Sequence, residues 1–99
     1  MVDIDKILNE TIEMKILGKV VHVKQPSMRM IRRISEIEDG ITEGNAAEKR
    51  EQLALMLVNN NEDGAVFTEE EFGEITPKAA NAIILAVSGL VNKANENPN

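Results

Sequence analysis

The sequence predicts an α+β fold, mainly helical (three to five helices) with one antiparallel β-hairpin near its start. Three observations predict it. Residues Thr11 to Lys24 alternate apolar and polar side chains with a period of two, as strands with one covered face do. From Met28 onward apolar residues recur at three- and four-residue spacing, and the breaks between these runs carry helix-capping residues. The most apolar stretch, Thr76–Asn92 (TPKAANAIILAVSGLVN), has enough apolar surface to organise a small core.

Each element has its own local signal. Asp3 is placed to cap a short turn through Leu8, ended by Asn9. In the hairpin, about 11–25, Ile12, Met14 and Ile16 share a face with Val21 and Val23. Taking Gly18-Lys19 as a two-residue turn, with Gly18 supplying a positive φ at its first position, pairs Ile16 with Val21, Lys15 with His22 and Glu13 with Lys24. Pro26-Ser27 ends the strand and caps a helix over about 28–39, with Met30, Ile34, Ile37 and Ile41 as its inward stripe and Gly40 as a left-handed stop. Arg29, Arg32 and Arg33 on its other sides read as a solvated face paired with carboxylates or as an anion grip.

Asn45 is placed to cap a helix over about 46–59 with Leu53, Met56 and Leu57 inward and Leu55 and Val58 widening its apolar face. The polar break NNNEDG follows, then Val66-Phe67 as an extended anchor. Thr68 through Glu71 forms a capping box that opens a brief helix, about 69–73. Thr76 caps and Pro77 starts the last helix, about 77–92. Its stripes, Ala79/Ile83/Ala86/Leu90 and Ala80/Ile84/Val87/Val91, leave a polar seam through Lys78, Asn81, Ser88 and Asn92, interrupted by Leu85. Such a helix must be covered on most sides, by its own domain or by another chain. A frayed polar tail is expected over 94–99.

Composition narrows the function. Ninety-nine residues at 42% hydrophobic suit one domain, and no linker or repeat divides the chain. A net charge of −6 with two aromatic residues argues against phosphate binding and base stacking, so no nucleic acid is expected. No cysteine is present, which fits a reducing cytoplasm, and MVDIDKILNE lacks the order of a signal peptide. The apolar run of the last helix is too short for a membrane span. His22, the single histidine, has no Cys, Ser or Asp motif beside it, and no phosphate loop or nucleophile elbow occurs, so neither an enzyme nor a cofactor is expected.

One metal pattern is present. NNNEDGAVFTEE (59–70) has the spacing of an EF-hand loop, with Asn59, Asn61, Asp63 and Glu70 at ligand positions and Gly64 at the sharp turn. Asn59 stands where that pattern has Asp, leaving Asp63 and Glu70 as the aligned charged ligands. A polar inter-helix loop followed by a capping box accounts for the same residues without calcium.

The order of features carries a resemblance. ETIEMKILGKVVHVKQPSMRMIRRI, the central helix, then NEDGAVFTEEEF and a closing apolar helix resemble the small tail assembly chaperones of long-tailed bacteriophages and prophages. In that family a hairpin with a K-x-K-Q-P-like exit, here Val23 with Lys24-Gln25-Pro26, leads into a basic helix. A D-G-x-x-F-T-x-E-E-like turn, here Asp63-Gly64 with Phe67, Thr68, Glu70 and Glu71, precedes the last helices. The resemblance spans nearly the whole chain. It implies a protein of the host bacterial cytoplasm that binds the tape measure protein, assists assembly of the tail tube protein around it, and does not stay in the virion. Relatives also occur as a longer frameshifted product. The expected contact surface is the part of the last two long helices left over by the core: Leu53, Met56, Leu57, Ile84, Leu85, Val87 and Val91. Self-association through the same faces, a homo-oligomer, is the competing use, and a structural tail subunit the competing role.

Overall fold

A computed structural model describes the backbone of residues 1–96 and the side chains of residues 1–91. In chain order the elements are α1 (Ile4–Leu8), β1 (Thr11–Ile16), β2 (Lys19–Lys24), α2 (Met28–Asp39), α3 (Ala46–Asn59), α4 (Glu69–Phe72) and α5 (Pro77–Glu96). This is an α+β arrangement of helices on a two-stranded antiparallel sheet.

Alternation in the hairpin works as expected: Ile16, Val21 and Val23 are buried, and Ile12 and Met14 pack beside them. Its register differs from the expected one by two residues. Ile12 pairs with Val23, Glu13 with His22, Met14 with Val21 and Lys15 with Val20, so the turn is Leu17-Gly18. Both turn residues have positive φ, 50° at Leu17 and 82° at Gly18, and the glycine occupies the second turn position. A slip of two keeps every side chain on its face, so the apolar pattern could not distinguish the registers. The left-handed backbone at Leu17 costs about 1 kcal/mol. Against that cost, Leu17 lies along a cleft with Ile75, Ala79 and Ala86.

The caps follow the sequence at four of five helices. Asp3, Ser27, Thr68 and Thr76 accept from Lys6, Met30, Glu71 and Ala79 backbone N–H groups at 3.1 Å each. Glu71 closes the box by accepting from the Thr68 N–H at 3.2 Å. Asn45 departs from expectation. It makes no side-chain cap; its amide oxygen accepts from Thr42 N–H at 2.7 Å and its NH₂ donates to the Gly40 carbonyl at 3.1 Å. Gly40 itself has φ −88° and is not left-handed; the helix end tightens instead, with Gly40 N–H donating to the Ile37 carbonyl and Ile41 N–H to the Glu38 carbonyl, each at 3.1 Å. The last helix runs to Glu96, beyond the expected end at 92, so residues 94–96 of the expected frayed tail are helical; 97–99 lie outside the described residues. α4 ends at Phe72, with Gly73 as its cap residue.

Packing is centred on α3, not on α5 as the apolar run suggested. α3 makes its most extensive contact with α5 and also touches β2, α2 and α4, while β1 packs on α5. The reason is the distribution of apolar groups: α3 buries Leu53, Ala54, Leu57 and Val58, whereas α5 buries Ala80, Ile83 and Val87 and keeps an exposed face. Phe67 and Phe72, both buried, meet edge to face with centroids 5.8 Å apart and close the core beneath the loop. α2 lies at the edge of the core: it has no fully buried residue, and Met30 and Ile34 only border the core.

Candidate functional site

The outlying position of α2 leaves a groove. α2 contributes Ile31 and Ile34, α3 contributes Leu53 and Leu57, and α5 contributes Ile84, Val87 and Val91; Pro26 closes one end. The space is about 340 Å³, and Glu38 and Ser88 are its polar members. It exists because α2 follows β2 after only three residues and is held against α3 mainly through Met30 and Ile34. Its remaining apolar side, including Ile31 at 41% exposure, therefore faces outward over the α3–α5 seam. A groove so lined takes an apolar or amphipathic guest, and the two polar members can orient one.

Five of the seven expected contact residues, Leu53, Leu57, Ile84, Val87 and Val91, line this groove. The other two do not. Met56 faces a separate depression with Ser27, Arg29, Met30 and Arg33, because it stands on the flank of α3 away from α5. Leu85 is 70% exposed on the outer side of α5, within the polar seam. Leu53, Leu57 and Val87, although in the groove wall, are buried and serve the core as well. Sequence reasoning missed Ile31 and Ile34 as groove residues. The available signal was that α2 carries apolar residues at 28, 30, 31, 34 and 37, more than the single stripe needed for one contact.

The three arginines of α2 also differ from the expected paired face. Among the described residues the ion pairs are Lys19–Glu71 and those of His22, and none includes Arg29, Arg32 or Arg33.

The polar loop 59–65 is built from its asparagines. The Asn59 side chain brackets Phe67, accepting from its N–H at 2.8 Å and donating to its carbonyl at 3.0 Å. Asn61 donates to Val58 and Ala65 carbonyls and accepts from Asp63 and Ala65 N–H groups, all within 3.0 Å. Gly64, with φ +70°, makes the turn this requires. The loop also lies along β2: Asn61 pairs with Val23, Lys24 N–H donates to Asn60, and Glu62 N–H donates to His22. So the oxygens of Asn59 and Asn61 that an EF-hand reading assigns to calcium are engaged within the protein. Asp63 is engaged as well, by His22, and Glu70 is exposed on α4. Among the described residues no group of three or more His, Asp or Glu side chains is arranged to hold a metal ion.

His22 stands opposite Glu13, not Lys15, and its ring bridges two carboxylates. Nδ1 is 3.1 Å from Asp63 and Nε2 is 3.3 Å from Glu13; its backbone N–H also donates to Asp63. The hydrogen bond to Asp63 raises the imidazole above its ordinary value of 6.5, with some opposition from desolvation and further help from the charges of Asp63, Glu13 and Glu62. Asp63 is held below its ordinary 3.8, chiefly by the His22 N–H and then by the ring. The imidazole's raised value makes its contribution complete below pH 6.5 and lost as pH rises through the shifted value. The carboxyl's lowered value makes its contribution complete above pH 3.8 and lost on acidification. The clasp between loop and hairpin is therefore strongest between those two limits. Thermal melts of the protein and of His22→Gln across a pH series are expected to diverge most inside this window and to converge as pH rises through the raised value of the imidazole; parallel curves throughout would refute the clasp.

A second tie fastens the hairpin tip. Lys19 Nζ is 3.6 Å from Glu71 and 5.0 Å from the Phe67 ring centroid. Glu71 is held below its ordinary carboxyl range, first by the Thr68 N–H and only secondarily by Lys19.

Comparison with family models, with curated proteins and with solved structures gives no match for this chain. No helix among the described residues is long and apolar enough to cross a membrane.

Proposed function

We propose that this protein is a non-catalytic, helix-binding assembly chaperone of a long-tailed phage or prophage. In this reading it acts in the host bacterial cytoplasm, covers apolar helical segments of the tape measure protein, and hands them over as the tail tube protein assembles. The observation that carries the reading is the open apolar groove walled by α2, α3 and α5. An amphipathic helix can lay its apolar face there and leave again, since the groove is open and its walls already have their own core contacts. A charge of −6 keeps such a protein soluble while part of its apolar surface is open. The resemblance of the hairpin exit and the Asp63–Glu71 turn to tail assembly chaperones supplies the partner.

Co-expression with tape measure fragments tests this. The protein is expected to keep a fragment soluble and to co-purify with it. Ile31→Glu, on the outer lip of the groove, and Ser88→Arg, at its mouth, are each expected to weaken the complex roughly tenfold or more, because each places a charge where apolar surface is covered. Leu85→Ser, outside the groove, is expected to leave affinity unchanged. No complex with any fragment, or recovery of the protein from purified virions as a structural subunit, would refute the reading.

A further inference from the structure

The short helix α1 is amphipathic and uncovered. Ile4, Ile7 and Leu8 share one face, with Asp3 and Asp5 at its borders. No residue of α1 is buried; Ile4 is 57%, Leu8 65% and Ile7 37% exposed. A helix of five residues has little stability alone and is ordinarily held by what packs on its apolar face. Among the described residues the hydrogen bond that ties it to the body beyond the hairpin runs from the Gln25 side chain to the Ile7 carbonyl.

That bond places α1 beside the segment leading into α2, and the first turns of α2 carry a complementary surface. Met28 at 77% exposure and Ile31 lie on the outer face of α2, flanked by Arg29 and Arg32, neither of which has a carboxylate partner among the described residues. An apolar face edged by carboxylates and one edged by guanidiniums thus occur at the same end of the molecule. Two copies related by a two-fold axis at this end can satisfy both at once, since what α1 offers to α2 of its partner is returned by the partner.

We infer that α1 docks on the outer face of α2 of a second copy, in a reciprocal exchange that forms a homodimer. The patch is small, so association is weak and becomes visible toward millimolar concentration. The inference does not depend on the tape measure reading, and it uses a surface on the outer side of α2 from which the groove is entered by Ile31 alone.

Sedimentation of the full chain over micromolar to millimolar concentration, at low and high salt, tests it. The expected result is a rise from the 10.9 kDa monomer mass toward twice that value, weakened by salt. Asp5→Arg and Arg32→Asp are each expected to weaken association roughly tenfold, and mixing the two variants to restore it through the swapped pair. Ile4→Ser with Leu8→Ser, outside the core, should abolish association while leaving the melting temperature of the monomer unchanged. A mass that stays at 10.9 kDa throughout, association indifferent to these substitutions, or failure of the mixed variants to recover would overturn the dimer. So would an effect of Ile4 and Leu8 on a chain that remains monomeric, which would mean that α1 folds back on its own chain.

Discussion

Phe72→Ala is expected to lower the melting temperature by roughly 15–30 °C, the largest effect of any single truncation in this protein. Phe72 is fully buried and meets Phe67 edge to face, so its truncation removes both its buried apolar surface and the ring contact with Phe67. Truncating a buried phenylalanine costs about 3–5 kcal/mol. In a domain of this size that is a large part of a total near 5–15 kcal/mol. No rearrangement easily refills the site, because Phe72 ends a four-residue helix set by the Thr68–Glu71 capping box and by the turn into Thr76-Pro77. Calorimetry or circular dichroism would measure the shift. Phe72→Leu, which keeps most of the volume, should lose less than half as much; equal losses would mean that the site is not packed as described.

Asn61→Asp is the second large effect, and it separates the two accounts of the polar loop. As an EF-hand position, Asn61→Asp would add a charged ligand, so calcium would stabilise the variant more than the parent. In the observed loop the Asn61 NH₂ donates to two backbone carbonyls, Val58 and Ala65. Aspartate cannot donate there, and it sets a carboxylate oxygen against both carbonyls. The expected loss is about 2–4 kcal/mol, or roughly 10–25 °C, with or without millimolar calcium. Asn61→Ala should lose a similar amount, since it also strands the Asp63 and Ala65 N–H groups. A calcium-dependent rescue of the Asp variant would restore the metal reading.

Asn61 also shows why the loop was only partly legible. Asn59, Asn61 and Asp63 at alternate positions before a glycine describe a polar loop between helices. Whether those side chains bind a cation or other groups of the protein depends on what lies alongside, and here β2 does. His22 and Asp63 are 41 residues apart, and nothing local to either announces the other. The groove has the same character. Leu53, Leu57, Ile84, Val87 and Val91 were marked by an excess of apolar helix, but Met56 and Leu85 satisfied the same criterion and lie elsewhere.

Local chemistry was enough to specify the class, the elements and most helix starts. Period, capping hydroxyls and carboxylates, and Pro77 act within a few residues of themselves, so no partner element is needed to read them. The folded arrangement alone decided three further points. It chose the hairpin register, because a two-residue slip leaves each face unchanged. It made α3 the packing centre, because α3 is the helix that meets α5, β2, α2 and α4. And it opened the groove, because burial is shared out by three-dimensional neighbours: α2 spends its Met30 and Ile34 against α3 and leaves Ile31 facing out.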